Sequence, residues 1–70
     1  MMIQLMQLEE RISANYRYLK EIHPEIEDLL AQIRTILDYG MCSEDINAWW
    51  KRNTHFIMQV KDLLDNKIDT

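Results

Sequence analysis

Cysteine, glycine and proline each occur only once in this chain of 70 residues. The single cysteine, Cys42, excludes a disulfide within the chain and is typical of a reducing compartment. The two histidines, His23 and His55, belong to no Cys-x-x-Cys or His-x-x-x-His pattern, so the sequence predicts no metal site and no cofactor. With so little glycine and proline, we expect nearly the whole chain to form regular secondary structure.

Long apolar runs are also missing. No run approaches the roughly 20 residues that a transmembrane helix requires, so we expect no membrane association. The N-terminal stretch MMIQLMQLEER lacks the basic region and the small-residue cleavage site of a signal peptide, which predicts a cytoplasmic protein. Acidic residues outnumber basic ones by 12 to 8, for a net charge of −4. Because phosphate neutralisation needs clustered lysine and arginine, this balance argues against nucleic-acid binding.

The hydrophobic content is nevertheless high enough for a folded core. Hydrophobic residues make up 47% of the chain and charged residues 29%, unlike the composition of a disordered chain. We expect one small domain over residues 1–70, and a core of this size rarely supplies more than roughly 3–5 kcal/mol on its own. Since neither a disulfide nor a metal is available, we expect a protein partner to add stability, and self-association when the chain is alone.

Two breaks divide the chain into three predicted helices. His23 precedes Pro24 and therefore avoids the helical region, and Gly40 fits the residue that closes the C-terminus of a helix. The predicted helices span about 2–22, 25–39 and 44–68, with Ser43 as the N-cap of the third. The expected fold class is all-α, a small antiparallel three-helix bundle or a helical hairpin with an N-terminal helix.

The third predicted helix carries more apolar residues than one narrow stripe needs. Its two rows cover about 140° of the helix at about 100° per residue; they are Ile46, Trp49, Phe56, Val60 and Leu63, with Asn53 among them, and Trp50, Ile57, Leu64 and Ile68. We assign the Trp49 row to the seam with the second helix and the Trp50 row to a partner. Lys61 interrupts the Trp50 row, which an interface edge tolerates better than a core. Alternatively, a bundle in which each helix touches two others buries both rows.

The first predicted helix also has an apolar surplus. Its main stripe consists of Leu5, Leu8, Ile12, Leu19 and Ile22. Met2, Ile3 and Met6 lie off that stripe, and methionine-rich surface is typical of protein–protein interfaces. The predicted partner-binding residues are therefore Trp50, Ile57, Leu64 and Ile68 together with Met2, Ile3 and Met6.

No arrangement of residues predicts catalysis. Cys42 precedes a predicted helix, but its potential base His55 is about three turns away along that helix, and no oxyanion loop or phosphate-binding loop is present. Lys51 and Arg52 form a basic pair. The N-terminal end of the same helix carries Glu44 and Asp45, which would repel phosphate. We therefore expect neither an enzyme nor a nucleic-acid-binding protein.

Several short motifs resemble those of one family. The segments LMQLEERIS and RTILDYGMCSEDINAWWKRN are similar to the small E-type cochaperones of type III secretion needle subunits, the YscE/PscE/EscE group. The matching positions are an acidic segment near the start, a glycine-centred turn before the last helix, and an aromatic residue early in that helix, namely Leu8, Glu9, Glu10, Arg34, Leu37, Gly40, Cys42, Glu44 and Trp49.

The resemblance implies a cytoplasmic helical-hairpin protein that binds a second chaperone, built from tetratricopeptide-like helix pairs. That heterodimer would hold the needle subunit monomeric before export, with this chain stabilising the chaperone more than it touches the needle subunit. Two other functions fit the composition. One is a small acidic helical inhibitor or antitoxin-like protein that blocks a partner, and the other is a DNA-binding regulator.

Overall fold

A computed structural model describes residues 2–67, and this part of the chain forms four helices and no strand. The helices are α1 (Met2–Ala14), α2 (Tyr16–Ile22), α3 (Ile26–Tyr39) and α4 (Ser43–Lys67). The all-α fold class is therefore confirmed. Contacts within the chain divide it into two compact units with a boundary between Gly40 and Met41. Helices α1 to α3 belong to the first unit and α4 to the second, and the prediction of one domain over residues 1–70 stays a prediction.

The first unit is a helical hairpin in which α1 and α2 form one arm and α3 the other. Its antiparallel register follows from two ion pairs, because Glu9 pairs with Arg34 whereas Lys20 pairs with Glu27. The buried residues of this unit are all aliphatic and recur three or four positions apart; they are Leu5, Leu8, Ile12, Leu19, Ile26, Leu29, Leu30, Ile33 and Ile36.

A break at Asn15 divides the first predicted helix into α1 and α2, so the prediction of one helix over 2–22 is wrong. Asn15 has φ −120° and ψ 23°. Its backbone N–H lies 3.2 Å from the carbonyl oxygens of both Arg11 and Ile12, and its side-chain Nδ2 donates to the Arg11 oxygen at 2.9 Å. Asparagine side chains compete in this way with the helical backbone pattern. The expected apolar stripe also ends early, because Ile22 is exposed.

The two predicted breaks around α3 are confirmed. His23 adopts an extended conformation, with φ −131° and ψ 92°, as expected of a residue before proline. At the other end of α3, Gly40 has φ 81° and ψ 169°, and its N–H donates to the Ile36 carbonyl at 2.9 Å. Ser43 is the first residue of α4 rather than its N-cap, since the Cys42 carbonyl accepts the N–H of Ile46.

Helix α4 has 25 residues, and its buried side chains are Ile46, Trp49, Ile57, Val60 and Leu64. Ile46 and Leu64 are five turns apart at about 3.6 residues per turn, so this set follows the period of a straight α-helix. Among residues 2–67, no helix has the length and apolar character needed to cross a bilayer.

Candidate protein-binding surface

One side of α1 exposes three large apolar residues. The exposed fractions are 40% for Met2, 70% for Ile3 and 52% for Met6. Leu5 and Leu8, on the other side of the same two turns, are 0% and 2% exposed. The structure therefore places the three α1 residues of the predicted partner surface in solvent, while their role in binding stays a prediction. We call Met2, Ile3 and Met6 the α1 face.

The α4 residues of the predicted partner surface differ in exposure. Ile57 and Leu64 are buried, with exposed fractions of 1% and 2%, and their role in binding stays a prediction. Trp50 is half-buried, and Ile68 lies outside the described residues. In the row assigned to the seam, Phe56 and Leu63 are only half-buried.

The buried positions of α4 reflect helical drift. Both predicted rows used seven-residue steps, whereas a straight α-helix drifts by about 20° per seven residues relative to such a row. The buried stripe consequently begins on the Trp49 side of α4 and reaches the Ile57 and Leu64 side further along.

The adjacent tryptophans have different surroundings. Trp49 is 4% exposed, whereas Trp50 stands at the edge of the buried stripe. Their ring centroids are 6.3 Å apart with an interplanar angle of 59°. Lys61 Nζ lies 5.9 Å from the centroid of the Trp50 ring, within the range of a cation–π contact. Lys61 therefore lies beside the half-buried ring of Trp50.

Three polar side chains form a closed network across the hairpin, which the sequence analysis missed. Arg34 donates from Nε to Glu9 Oε2 at 3.1 Å and from Nη2 to Ser13 Oγ at 3.0 Å. Ser13 Oγ in turn donates to Glu9 Oε2 at 2.9 Å. The Ser13 hydrogen bond, and then the Arg34 hydrogen bond, hold the pKa of Glu9 below its ordinary value. The four-residue spacing of Glu9 and Ser13 was a usable signal, since it places both on one side of a helix.

A second network joins α2 to α3. Lys20 Nζ lies 3.3 Å from Glu27 Oε1 and 5.7 Å from the centroid of the Tyr16 ring. A hydrogen bond from Tyr16 lowers the pKa of Glu27, and the same bond raises the pKa of Tyr16. The hydrogen bond to Glu27 raises the pKa of Lys20. Ion pairs therefore connect the two arms of the hairpin on both sides of the helix break at Asn15: Glu9 with Arg34 before the break, and Lys20 with Glu27 after it.

A groove of about 410 Å³ lies between these two networks. It is lined by residues from both arms of the hairpin, namely Ser13, Tyr16, Glu27, Leu30, Ala31 and Arg34. Ser13 and Tyr16 flank Asn15 in sequence, so the groove lies at the helix break. Leu30 is buried, whereas Glu27, Ala31 and Arg34 are exposed. The groove therefore has an apolar floor and charged ends.

The residues considered for catalysis, Cys42 and His55, do not line this groove. Cys42 is exposed, and its thiol donates to Asp45 Oδ2 at 3.1 Å. Within residues 2–67, no three or more histidine, cysteine, aspartate or glutamate side chains come together in a group that could hold a metal ion. Whether the chain has an enzymatic activity stays at the level of the sequence prediction.

Comparison with known proteins adds no family to these observations. The resemblance to E-type cochaperones consequently rests on short motifs in the sequence, including Glu9, Arg34 and Gly40. No family model, curated protein or solved structure matches the chain significantly.

Proposed function

We propose that this protein is a cochaperone of type III secretion. It would bind and stabilise a tetratricopeptide-like chaperone in the cytoplasm, and so help to keep the needle subunit monomeric before export. The proposal rests on the resemblance in sequence and on one structural observation, the exposure of the α1 face. It assigns the protein no catalysis, no cofactor, no metal and no nucleic-acid partner.

The α1 face supports binding because its exposure is unfavourable for an isolated protein. Apolar surface gains about 25 cal/mol for each Å² removed from water. Met2, Ile3 and Met6 are close together on the first two turns of α1, and each exposes at least 40% of its surface. Two of the three are methionines, whose flexible side chains adapt to a partner's shape. A partner that covers this face would therefore add stability to a chain with a small core.

The contribution of α4 to the proposed interface is limited to Trp50. Its ring is half-buried and accessible beside Lys61, and tryptophan is frequently an anchor in protein interfaces. Ile57 and Leu64 are excluded from the proposed surface because they are buried.

The proposal is tested by co-expressing the chain with the needle chaperone and needle subunit of one type III secretion system. We expect the three proteins to co-purify, with the needle subunit monomeric by size-exclusion chromatography. Met6→Asp should weaken chaperone binding at least about tenfold, as interface anchors commonly do. Gln4→Asp is the matched control, since Gln4 is exposed on the side of α1 away from Met6.

Circular dichroism should show the same helicity for both variants. Absence of co-purification by the wild-type chain would refute the chaperone proposal. Equal binding by Met6→Asp and Gln4→Asp would show that the α1 face is not the contact. Inhibition of a different protein by the isolated chain would favour the inhibitor function instead.

A further inference from the structure

We propose that Met2 and Met6 form a reversible oxidation site, at which a hydroperoxide converts the α1 face from an apolar surface into a polar one. In the apolar state the face binds its partner, and in the polar state it releases the partner while the chain stays folded. This regulation rests on the proposed function, because it acts on the surface that would contact the partner.

The methionines of this chain are at its surface and not in its core. Methionine is among the residue types most often buried in proteins, where it fills irregular gaps. Here the four methionines within residues 2–67 are all exposed, with exposed fractions of 40% for Met2, 52% for Met6, 41% for Met41 and 58% for Met58. The buried side chains of the same part of the chain are aliphatic or tryptophan. Peroxide therefore reaches these methionines without opening the fold.

Met2 and Met6 differ from the other two because they share one face of a helix. They are four residues apart on α1, with Ile3 beside them. The packing of the same two turns depends on Leu5 and Leu8, which are buried on the other side and contain no sulfur. Oxidation of both methionines therefore changes the exposed side of α1 and leaves its buried side as it is.

The oxidation is a two-electron transfer of one oxygen atom. A lone pair of the thioether sulfur attacks the terminal oxygen of the hydroperoxide, so that the S–O bond forms as the O–O bond breaks. The proton of that oxygen passes to the departing oxygen, and hydrogen peroxide leaves as water. The thioether becomes a sulfoxide. Methionine sulfoxide reductases reverse the change with a dithiol, which becomes a disulfide while the oxygen leaves as water.

A sulfoxide on the α1 face opposes the burial of that face. The flexible apolar side chain becomes polar, which disrupts methionine-rich interfaces. A polar group that is buried without a hydrogen-bond partner is unfavourable, and two such groups four residues apart would lie under the same partner surface. The expected result is a loss of affinity without a loss of fold.

The oxidation itself is tested on the full-length chain with Cys42→Ser, which removes the exposed thiol so that peroxide reacts with thioethers alone. Peptide mass spectrometry measures the sulfoxide at each methionine after treatment with hydrogen peroxide. We expect sulfoxide at Met2 and Met6 with unchanged far-UV circular dichroism. The two reductases, one for each sulfoxide epimer, should then restore both residues in the presence of dithiothreitol.

Two double variants of that chain separate the α1 face from the other methionines. Met2→Leu with Met6→Leu protects the face, whereas Met41→Leu with Met58→Leu protects two positions of similar exposure elsewhere. Leucine is close to methionine in volume and in helix propensity, so both variants should remain folded. Met1 lies outside the described residues and is present in both variants, so it does not distinguish them.

Peroxide should weaken binding of the needle chaperone at least about tenfold in the variant that keeps Met2 and Met6. It should leave binding unchanged in the variant with leucine at both positions. An apolar fluorescent dye, anilinonaphthalene sulfonate, measures the face without the chaperone, because such dyes bind exposed apolar surface. Dye fluorescence should fall on oxidation in the first variant and persist in the second.

Three results would overturn the proposal: loss of helicity as Met2 and Met6 are oxidised, sulfoxides that the reductases do not remove, or equal responses of the two variants to peroxide. Equal responses would make the exposed methionines unspecific targets of peroxide. If the reduced chain does not bind the needle chaperone, the proposed function fails, and dye binding still decides whether oxidation switches the α1 face. The two failures are therefore distinguishable.

Discussion

Arg34 on α3 pairs with Glu9 on α1, with 3.1 Å between Arg34 Nε and Glu9 Oε2. Close packing already restricts the rotation of α1, because Leu5, Leu8 and Ile12 are buried. The planar fork of arginine holds a carboxylate in one orientation, and Ser13 completes the same network. The network therefore adds a directional contact to the apolar packing of α1 against α3.

We expect this pair to contribute measurable stability. In a double-mutant cycle with Arg34→Met and Glu9→Gln, the coupling free energy should be about 0.5–1 kcal/mol, near the upper end for solvent-accessible ion pairs. For a domain of this size, each 1 kcal/mol corresponds to about 4–8 °C in melting temperature. Urea unfolding followed by circular dichroism measures all four proteins of the cycle.

A matched control for that cycle is Arg17→Met, since Arg17 is exposed on α2. Its combination with Glu9→Gln should be additive within error. A coupling energy near zero between Arg34 and Glu9 would mean that the network does not hold α1 to α3.

Stability should fall at acidic pH. The pKa of Glu9 is lowered by Ser13 and Arg34, and the pKa of Glu27 by Tyr16 and Lys20. A carboxyl whose folded pKa is depressed stabilises the fold above its unfolded pKa, and this contribution is lost as the pH falls through the folded pKa. We therefore expect the free energy of unfolding to decrease below about pH 4.5.

Urea unfolding between pH 7 and pH 3 would measure this decrease. The Glu9→Gln variant should show a shallower fall, because it no longer has the Glu9 carboxyl to protonate. Parallel curves for the variant and the wild-type chain would assign the acid sensitivity to other carboxyl groups.

Those parts of the fold that depend on local backbone chemistry could be predicted from the sequence. Pro24 and Gly40 were predicted to break the chain, and they lie at real helix ends. The break at Asn15 was not predicted, because asparagine occurs inside helices as well as at their ends. In the structure its side chain donates a hydrogen bond to the Arg11 carbonyl, and residue types alone do not specify that bond.

The candidate surface was predictable only in part. The position of Met2, Ile3 and Met6 off the main stripe correctly indicated exposure. The predicted rows on α4 differ from its buried set because a seven-residue step is a good approximation over two turns and a poor one over five. The polar networks required the register of α1 and α2 against α3, which depends on packing of the whole hairpin.

The two adjacent tryptophans should differ in their effect on stability. Trp49→Ala removes a side chain that is 4% exposed and should cost about 3–5 kcal/mol, as for other large-to-small changes in a core. That is comparable with the whole stability of a chain this small, so the variant should be largely unfolded. Trp50→Ala should remain helical, because Trp50 is only half-buried.

Far-UV circular dichroism and thermal melts of the two variants make this comparison. Lys61→Gln removes only the cation–π contact with Trp50 and should cost about 0.5–1 kcal/mol. Comparison with Trp50→Ala then separates the loss of this contact from the loss of the ring. Retained helicity in Trp49→Ala together with unfolding of Trp50→Ala would show that the two rings exchange roles in solution.

Replacement of Asn15 should join α1 and α2. Asn15→Ala removes the side-chain amide that donates to the Arg11 carbonyl and substitutes the strongest helix former, a change worth up to about 0.7 kcal/mol. We expect higher helicity at 222 nm and slower hydrogen exchange at the amides of Tyr16 and Arg17. Unchanged exchange at these amides would mean that packing, and not the asparagine, imposes the break.

Substitution of Gly40 should destabilise the chain through its backbone alone. Gly40 has φ 81° and ψ 169°, a region that is essentially restricted to glycine and costs other residues about 1–3 kcal/mol. Apart from its own residue and the two neighbouring residues, a Cβ atom at this position would meet no heavy atom within 4 Å, so no clash with a more distant residue contributes. Gly40→Ala should therefore lower the free energy of unfolding by about 1–3 kcal/mol in urea titrations.

The control is Tyr39→Ala, at the exposed neighbouring position, which should change the free energy of unfolding by less than about 0.5 kcal/mol. Equal stability of Gly40→Ala and the wild-type chain would show that the turn adopts a conformation open to alanine.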